Sequence, residues 1–465
     1  MHSSSPRWVN VIVILLLLLV GVAAATCSRT GQAVNTSPDP QQNGAAVSDP
    51  LGTAATAAIP AAEKPSTKIQ SSEGEDGRDG LLLSGAFFKD KKPLPARTMI
   101  ARPPAIAGEP WTTELIECGD KSNVFQKAMA FQPVNGAPGI MTISGAKAGE
   151  APAQLKIWRK TGTSYEGELV YSGVFGGKFD RLRDVEVGDV NGDQSPDIVV
   201  VTHQRGTTLV IEQKDGRYET TKVVGYEQEG KPVWIHEVEI GDVDGDGLNE
   251  FFSTPSEPNN LDGKVQPGDV MMYKYVDGRY QETLIEHYPT RHAKEILCYD
   301  LEKTGRPQVY ASIEGETIGA AGGASTLIRV YRWQDGKMTG ADVMPLPGKL
   351  CRFLVAADTD GDGNPELIAS TKDDGIYCLY REDGDAWTQR LVVDGATSKG
   401  FEHATTAFDW DQDGKDDVFA VSDDLKVLRR FTFDPTSDGY TMEKLLDIPA
   451  ESMFVFNIER LPAGM

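Results

Sequence analysis

The stretch DVEVGDVNGDQSPDIVVVT, residues 184–202, is the first of four closely similar copies in this chain. The others are EVEIGDVDGDGLNEFFST (237–254), FLVAADTDGDGNPELIAST (353–371) and TTAFDWDQDGKDDVFAVS (405–422). Each copy has an apolar run, a loop of acids and glycines, and a second apolar run, which predicts two β-strands joined by a short loop. Two weaker copies, ILCYDLEKTGRPQVYAS (296–312) and AMAFQPVNGAPGIMTIS (128–144), keep this outline and lose most of the acids.

A second element alternates with the first and predicts a β-hairpin. Examples are LVIEQKDGRYETTKVV, MMYKYVDGRYQETLIE and CLYREDGDAWTQRLVV, in which a Gly-containing turn separates two apolar runs. Asp-Gly between such runs is a strong hairpin signal. The two elements together make a unit of about fifty to sixty residues and four strands, which is the pattern of a β-propeller blade.

The two ends of the chain complete this pattern. The last run, MFVFNIER (453–460), resembles a first strand with nothing after it, whereas the runs from Gly80 to Cys118 resemble strands two to four without a first. We therefore predict an all-β, seven-bladed propeller of four-stranded antiparallel blades, over residues 81–465, with the last blade closed by both termini. Six blades is the alternative if the N-terminal strands are additional.

The acid loops of the four strong copies have the spacing of a metal site. Oxygen ligands at positions 1, 3, 5 and 9, with a backbone carbonyl at position 7, would supply the six to eight hard oxygens that Ca²⁺ takes, which is more than Mg²⁺ accepts. An EF-hand is excluded because position 12 lies inside a strand in every copy. We predict about four Ca²⁺ ions, and a polar turn without an ion is the alternative. The predicted ligands are Asp189, Asn191, Asp193, Ser195 and Asp197; Asp242, Asp244, Asp246, Leu248 and Glu250; Asp358, Asp360, Asp362, Asn364 and Glu366; and Asp409, Asp411, Asp413, Lys415 and Asp417.

With its flanking strands, the acid loop resembles the FG-GAP/VCBS repeat of integrin α-subunits and of many bacterial exported proteins. The resemblance covers roughly residues 81–463, although the Phe-Gly and Gly-Ala-Pro signatures of the family are not obvious. It implies that the calcium loops are structural and lie on one face of the propeller, that partners bind the opposite face, and that adhesion or ligand binding is commoner than catalysis.

Composition and the N-terminal segment indicate where the chain acts. It has 465 residues with 69 acidic and 46 basic side chains, and this excess of acid argues against a nucleic-acid partner. Residues 1–27 combine Arg7, an apolar run and small residues, as in an export signal; Cys27 leaves a lipoprotein open, and an uncleaved anchor is the third option. We predict a disordered Ala/Ser/Pro-rich linker at 28–80, a cell-envelope or extracellular location, and membrane contact only through the N-terminal segment.

Histidines mark the face opposite the acid loops. His203, His236, His287, His292 and His403 all fall near strand ends or connections on that face, but no Ser-His-Asp signature accompanies them. We therefore predict a non-catalytic module that binds a protein or polysaccharide at the cell surface, with no assigned catalytic residue. The alternative is a polysaccharide lyase or hydrolase, whose candidate residues would be His236, Arg291, His292 and His403.

Overall fold

The computed structural model describes residues 78–465, apart from 91, 107, 119–120, 226–232, 259–263, 317–323, 373, 383–385 and 396–403. The predicted export segment and nearly all of the predicted linker lie outside these residues, as does His403. Asp79 is already part of the fold, because its carbonyl accepts a hydrogen bond from Trp410 Nε1 at 3.0 Å and its carboxylate accepts one from the Ala463 amide at 2.8 Å. Among the described residues, none forms a helix with the length and hydropathy that crossing a membrane requires.

The described chain is built from β-strands. In order these are β1 (Gly80–Lys89), β2 (Lys92–Pro93), β3 (Arg97–Arg102), β4 (Thr112–Glu117), β5 (Val124–Phe131), β6 (Gly139–Lys147), β7 (Ala153–Thr161), β8 (Ser164–Gly173), β9 (Phe179–Gly188), β10 (Asp197–Thr202), β11 (Thr207–Lys214), β12 (Arg217–Gly225), β13 (Trp234–Gly241), β14 (Glu250–Ser256), β15 (Gly268–Val276), β16 (Arg279–Tyr288), β17 (Ala293–Tyr299), β18 (Gln308–Ile313), β19 (Leu327–Gln334), β20 (Lys337–Pro345), β21 (Cys351–Ala357), β22 (Glu366–Thr371), β23 (Gly375–Arg381), β24 (Trp387–Asp394), β25 (Thr405–Phe408), β26 (Asp417–Ser422), β27 (Val427–Asp434), β28 (Gly439–Asp447) and β29 (Ser452–Leu461).

These strands form antiparallel sheets of the predicted kind. Four sheets have the orders β13-β14-β15-β16, β17-β18-β19-β20, β21-β22-β23-β24 and β25-β26-β27-β28. A fifth has the order β29-β1-β3-β4, with the short β2 beside β1. The C-terminal strand β29 thus pairs with the first strand of the described chain, from Gly80↔Leu461 to Phe87↔Ser452, which confirms the blade shared by both ends.

The predicted count of seven separate blades, or six, needs correction. Among the described residues five sheets are single blades, while β5–β8 and β9–β12 are joined in one sheet of eight strands. The joint arises because β6 extends beyond its own unit, so that Gly145, Ala146 and Lys147 pair with Arg181, Asp180 and Phe179 of β9. Each half of this sheet still has the antiparallel order of a blade.

The first strand of each unit, here called an inner strand, contacts the inner strand of the next unit. These contacts run from β5 through β9, β13, β17, β21 and β25 to β29, and β29 contacts β5 again. The inner strands therefore form a closed ring, as in a propeller. The second strands lie between neighbouring units and are buried along their whole length in β10, β18, β22 and β26, whereas the fourth strands are mostly exposed.

The hydrophobic core lies between consecutive units. For example, Val199 and Val201 of β10 pack with Val238 of β13 and Phe251 of β14 in one buried cluster. Cys118, Cys298, Cys351 and Cys378 are buried within this packing, and none of these four forms a disulfide bond. Propeller stability therefore comes from apolar surface between blades, and each unit depends on its neighbours.

Acid loops and an axial cluster as candidate sites

Four acid loops connect an inner strand to the second strand of its unit. The first loop is Asp189–Asp197, the second Asp242–Glu250, the third Asp358–Glu366 and the fourth Asp409–Asp417. Positions 4 and 6 have positive φ, for example Gly361 (76°) and Gly363 (81°) in the third loop. The first and fourth loops place Gln194 and Gln412 in this conformation, at φ 68° and 61°. Glycine adopts positive φ without strain and so suits positions 4 and 6, although two loops have glutamine at one of them.

The position-1 aspartate organises each loop from within. In the third loop, Asp358 Oδ1 accepts a hydrogen bond from the Gly361 amide and its Oδ2 accepts one from the Gly363 amide, both at 2.9 Å. Asp362 Oδ1 accepts the Asn364 amide at 2.7 Å. The equivalent bonds to Asp242 from Gly245 and Gly247 are 2.7 and 2.9 Å long. The acids therefore both shape the loop and turn oxygen atoms toward its centre.

The structure gathers the predicted ligands of three loops. Ligand oxygens lie within 4.8 Å of one another in the groups Asp358, Asp360, Asp362 and Glu366; Asp242, Asp244 and Asp246; and Asp409, Asp411 and Asp413. The carboxylates of the first loop do not form such a group among the described residues. There, Asn191 Nδ2 donates to Asp197 Oδ1 at 3.3 Å and to Glu212 Oε1 at 2.7 Å. The side-chain amide of Asn191 thus stabilises the first loop, whose carboxylates do not converge on one point.

Position 9 places a buried carboxyl beneath each loop. Burial raises the pKa of Asp197, Glu250 and Glu366 to about 7 in each case. A buried carboxyl with a raised pKa favours its charged form again when a cation lies beside it. The donor set, all oxygen with several carboxylates, fits a hard divalent cation such as Ca²⁺.

The residue facing position 9 from the third strand of the unit distinguishes the loops. In the second loop it is Lys274, whose Nζ contacts Asp244, lies 2.7 Å from Asp246 Oδ2 and lies 2.9 Å from Glu250 Oε1. In the first loop the facing residue is Glu212. Neither residue is among the ligands predicted from the sequence, although counting back from the Asp-Gly turn of each hairpin would have placed both opposite position 9.

The third and fourth loops differ in the same way. The facing residues are Tyr380 in the third loop and Thr432 in the fourth. Arg430 pairs with Asp411 and, at 2.8 Å, with Asp417 of the fourth loop. No ion pair within the described residues reaches the four carboxylates of the third loop. Among the four acid loops, the third therefore has the most complete set of candidate carboxylate ligands that is free of an ion pair with a basic side chain in the described part of the chain.

In the weaker copy at 296–312, side chains of the protein take the place of a ligand set. Gln308 Nε2 donates to Asp300 Oδ1 and to Thr304 Oγ1, each at 3.0 Å. Glu302 pairs with Arg332, and Arg381 Nη2 lies 3.7 Å from it. A neutral amide and two guanidinium groups therefore occupy the positions that carboxylates and a cation would need.

Histidines gather at the opposite end of the inner strands. The ring centroids of His236 and His292 are 5.0 Å apart, those of His203 and His236 are 5.2 Å apart, and Trp234 lies 4.2 Å from His203. All three histidines are buried. We name this group, together with Gln126, Arg183, Glu237, Lys294, Glu295 and Arg352 of the inner strands, the axial cluster.

Two of the other residues predicted for this face do not join the axial cluster. His287 is exposed and pairs with Asp269 at 2.6 Å. Arg291 donates to the carbonyl oxygens of Glu314, at 2.8 Å, and of Ile313, at 3.0 Å, so its guanidinium fastens a strand connection. Arg291 therefore lies outside the axial cluster and holds a strand connection in place.

Comparison with known proteins agrees with this fold. Residues 153–253 match the model of the family described as FG-GAP-like repeat, a segment that contains the first and second acid loops. The predicted resemblance is confirmed there. Comparison with curated proteins gives no match. Among solved structures, the periplasmic gluconolactonase PpgL of Pseudomonas aeruginosa is similar, with 14% identity and a TM-score of 0.50 over 83% of this chain and 99% of that chain. At this identity the likeness shows the fold alone.

Proposed function

Because residues 153–253 are FG-GAP-like repeat sequence in a propeller fold, we propose that this protein is an exported, calcium-binding β-propeller. In this proposal it binds a protein or polysaccharide at the cell surface through the face opposite the acid loops, without catalysis. The observation that carries the calcium assignment is the third loop, where four carboxylates have ligand oxygens within 4.8 Å of one another. Like charges held this close repel one another unless a cation compensates them.

Calcium in these loops would act on the fold. The loops connect inner strands to buried second strands, so an ion that fixes a loop also fixes the alignment of two strands. A ligand that binds only the folded state stabilises it by about 2.7 kcal/mol at a concentration 100 times its dissociation constant. The residues that would hold the ion are the predicted loop ligands, with the third loop first in affinity.

The test is the melting temperature of the purified chain in EDTA, in Ca²⁺ and in Mg²⁺, together with elemental analysis of natively purified material. We expect EDTA to lower the melting temperature, Ca²⁺ to restore it, and Mg²⁺ to restore less. Melting curves that coincide with and without chelator would remove the calcium assignment. The protein would then be a propeller that is stable without bound ions, and its binding function would not involve calcium.

The predicted lyase or hydrolase is the second candidate, and the convergence of His236 with His292 favours it. Glu237 and Glu295 lie on neighbouring inner strands beside these rings, and a carboxyl pair of this kind can act as acid and base. Release of reducing ends or of unsaturated product from acidic and neutral polysaccharides would establish this activity. Loss of that activity in His236→Gln, with an unchanged calcium response, would assign it to this cluster.

A further inference from the structure

Five consecutive inner strands have a β-bulge at the same place. The bulge leaves one or two residues without a partner on the second strand, and these residues are Gln126 in β5, Arg183 in β9, His236 and Glu237 in β13, Lys294 and Glu295 in β17, and Arg352 in β21. A bulge turns a side chain away from the regular alternation of its strand. The repeated bulge therefore places one ring of polar side chains around the inside of the propeller.

Contacts between neighbouring strands show that these side chains meet. Arg183 Nη2 lies 3.2 Å from Glu237 Oε1, and Arg183 Nη1 donates to Gln126 Oε1 at 3.2 Å. Lys294 Nζ lies 2.7 Å from Glu295 Oε1, and both side chains are at most 5% exposed. Ion pairs this deeply buried carry a large desolvation cost, so their presence at one place in successive units calls for an explanation beyond stability.

The histidines next to this ring have ring nitrogens without partners. His203, His236 and His292 are 7%, 6% and 1% exposed. Within the described residues, both nitrogens of His236, Nδ1 of His203 and Nε2 of His292 have no hydrogen-bond partner, whereas His292 Nδ1 lies 3.3 Å from Glu314 Oε2. Buried polar atoms almost always have one, from the protein, from water or from a ligand. These nitrogens therefore point to a polar molecule that binds there.

A metal ion is a poor match for this place. Unlike the oxygens of the acid loops, the nitrogens of the three histidines are not gathered within coordinating reach in the described structure. Arg183, Lys294 and Arg352 would also repel a cation.

An anion suits the same charges. Burial, and then the neighbouring Glu295, raise the pKa of Glu237 well above its ordinary range, and burial also raises the pKa of Glu295. Even with both carboxyls charged, the bulge ring carries three basic side chains, Arg183, Lys294 and Arg352, against Glu237 and Glu295, so basic side chains are in excess.

The histidines add hydrogen-bonding groups of both kinds. Burial, and then Arg181 and Arg183, hold the pKa of His203 well below its ordinary value. Burial, and then the other two histidines, do the same for His236. A neutral imidazole offers one donor and one acceptor, which is the combination that hydroxyl groups require.

We propose that the axial cluster binds a carboxylated saccharide, with basic side chains of the bulge ring recognising the carboxylate and the histidines recognising hydroxyl groups. This inference rests on the proposed binding function and names its ligand chemistry. A neutral sugar has no carboxylate, so the buried basic side chains would lack a partner when it binds. The axial cluster should therefore select against neutral sugars.

The test is isothermal titration calorimetry on the full chain in saturating Ca²⁺, with galacturonate oligomers, monomeric galacturonate and neutral galactose oligomers as probes. We expect the acidic oligomers to bind at least about tenfold more tightly than the neutral ones, and their affinity to fall as salt is raised. Monomer binding as tight as oligomer binding would identify a free sugar acid as the ligand, and weaker monomer binding would identify a polymer; both support the carboxylate chemistry.

Substitutions in the axial cluster test whether the saccharide binds there. His236→Gln and Lys294→Met should each weaken galacturonate binding by about tenfold or more, whereas His287→Gln, a matched histidine outside the cluster, should not. Calcium-dependent melting of each variant reports whether it folds, and if His236→Gln fails to fold, Lys294→Met and the salt dependence decide. Equal binding of acidic and neutral oligomers, no binding of either acidic probe, or full binding by the folded variants would overturn the inference. An intact calcium response with no saccharide binding would overturn this inference alone, whereas saccharide binding without a calcium response would overturn the calcium assignment alone.

Discussion

Lys274 gives the sharpest test of how the acid loops work. Its ammonium group lies among Asp244, Asp246 and Glu250 of the second loop, where a calcium ion would bind. Its side chain is 20% exposed. We therefore expect Lys274 to act as a tethered cation that competes with Ca²⁺. Replacing it by methionine keeps most of the apolar stem and removes the charge.

We expect the substitution to destabilise the fold only when calcium is absent. Charge-assisted hydrogen bonds contribute about 1.5–3 kcal/mol each, and a buried carboxylate left without its partner costs a similar amount. In EDTA, Lys274→Met should therefore destabilise the fold by about 2 kcal/mol or more. In saturating Ca²⁺ the ion replaces the lysine, and the affinity of the second loop should rise by about tenfold to a hundredfold, since 1.4 kcal/mol is a factor of ten.

Two measurements check this prediction. Calorimetric titration with Ca²⁺ should show one site moving to higher affinity in Lys274→Met, while the melting temperature falls in EDTA and recovers fully in Ca²⁺. Lys337→Met, at the exposed first position of β20, is the matched control and should change neither. Unchanged calcium affinity in Lys274→Met, or destabilisation of the same size in both buffers, would refute the idea of a tethered cation.

Three further predictions concern other parts of the ring. Asp360→Asn should reduce the calcium-dependent rise in melting temperature, whereas Glu302→Gln should destabilise equally in EDTA and Ca²⁺ because Glu302 pairs with Arg332; identical calcium dependence of the two variants would contradict this. Deleting residues 452–465 should abolish folding, because burial of Val455, Ile458 and Leu461 contributes about 1.5–3 kcal/mol each, and a soluble, cooperatively melting deletion variant would contradict the closing role of β29. Because burial lowers the pKa of His236 in the fold, its stabilising contribution is present above its unfolded pKa of about 6.5 and is lost as pH falls below it. In Ca²⁺, His236→Gln should therefore lose less stability between pH 7 and pH 5 than the natural chain, by at most about 1.4 kcal/mol per pH unit, and equal slopes would show that this histidine is not buried in neutral form.

Much of the fold follows from the sequence because its signals are local and repeated. Alternating apolar runs, Asp-Gly turns and the acid spacing fix the strands and the loops, and the unmatched runs at each end predict the pairing of β29 with β1. The joint between β6 and β9 could not be predicted in this way, since it depends on three residue pairs that form only when two units lie side by side.

The sites show the same division between local and distant information. The positions of Asp358, Asp360, Asp362 and Glu366 are set within nine residues, so spacing alone predicts their convergence. Lys274 reaches the second loop from another strand, and its effect depends on strand register. The bulges that turn Arg183 and Lys294 inward leave no sign in the apolar pattern, because a bulge adds one residue without changing residue type.

The two ends of an inner strand vary independently, which bears on what each end does. The unit of β17 has lost its acid loop to Gln308, Arg332 and Thr304, yet it retains the buried Lys294–Glu295 pair at the bulge. The unit of β5 also lacks the acids, and Gln126 still meets Arg183. If the axial cluster served only to support calcium loops, its costly buried charges would have no purpose in these units. Their presence there supports the two proposals made above, in which one face gives ion-dependent stability and the other recognises a polar molecule.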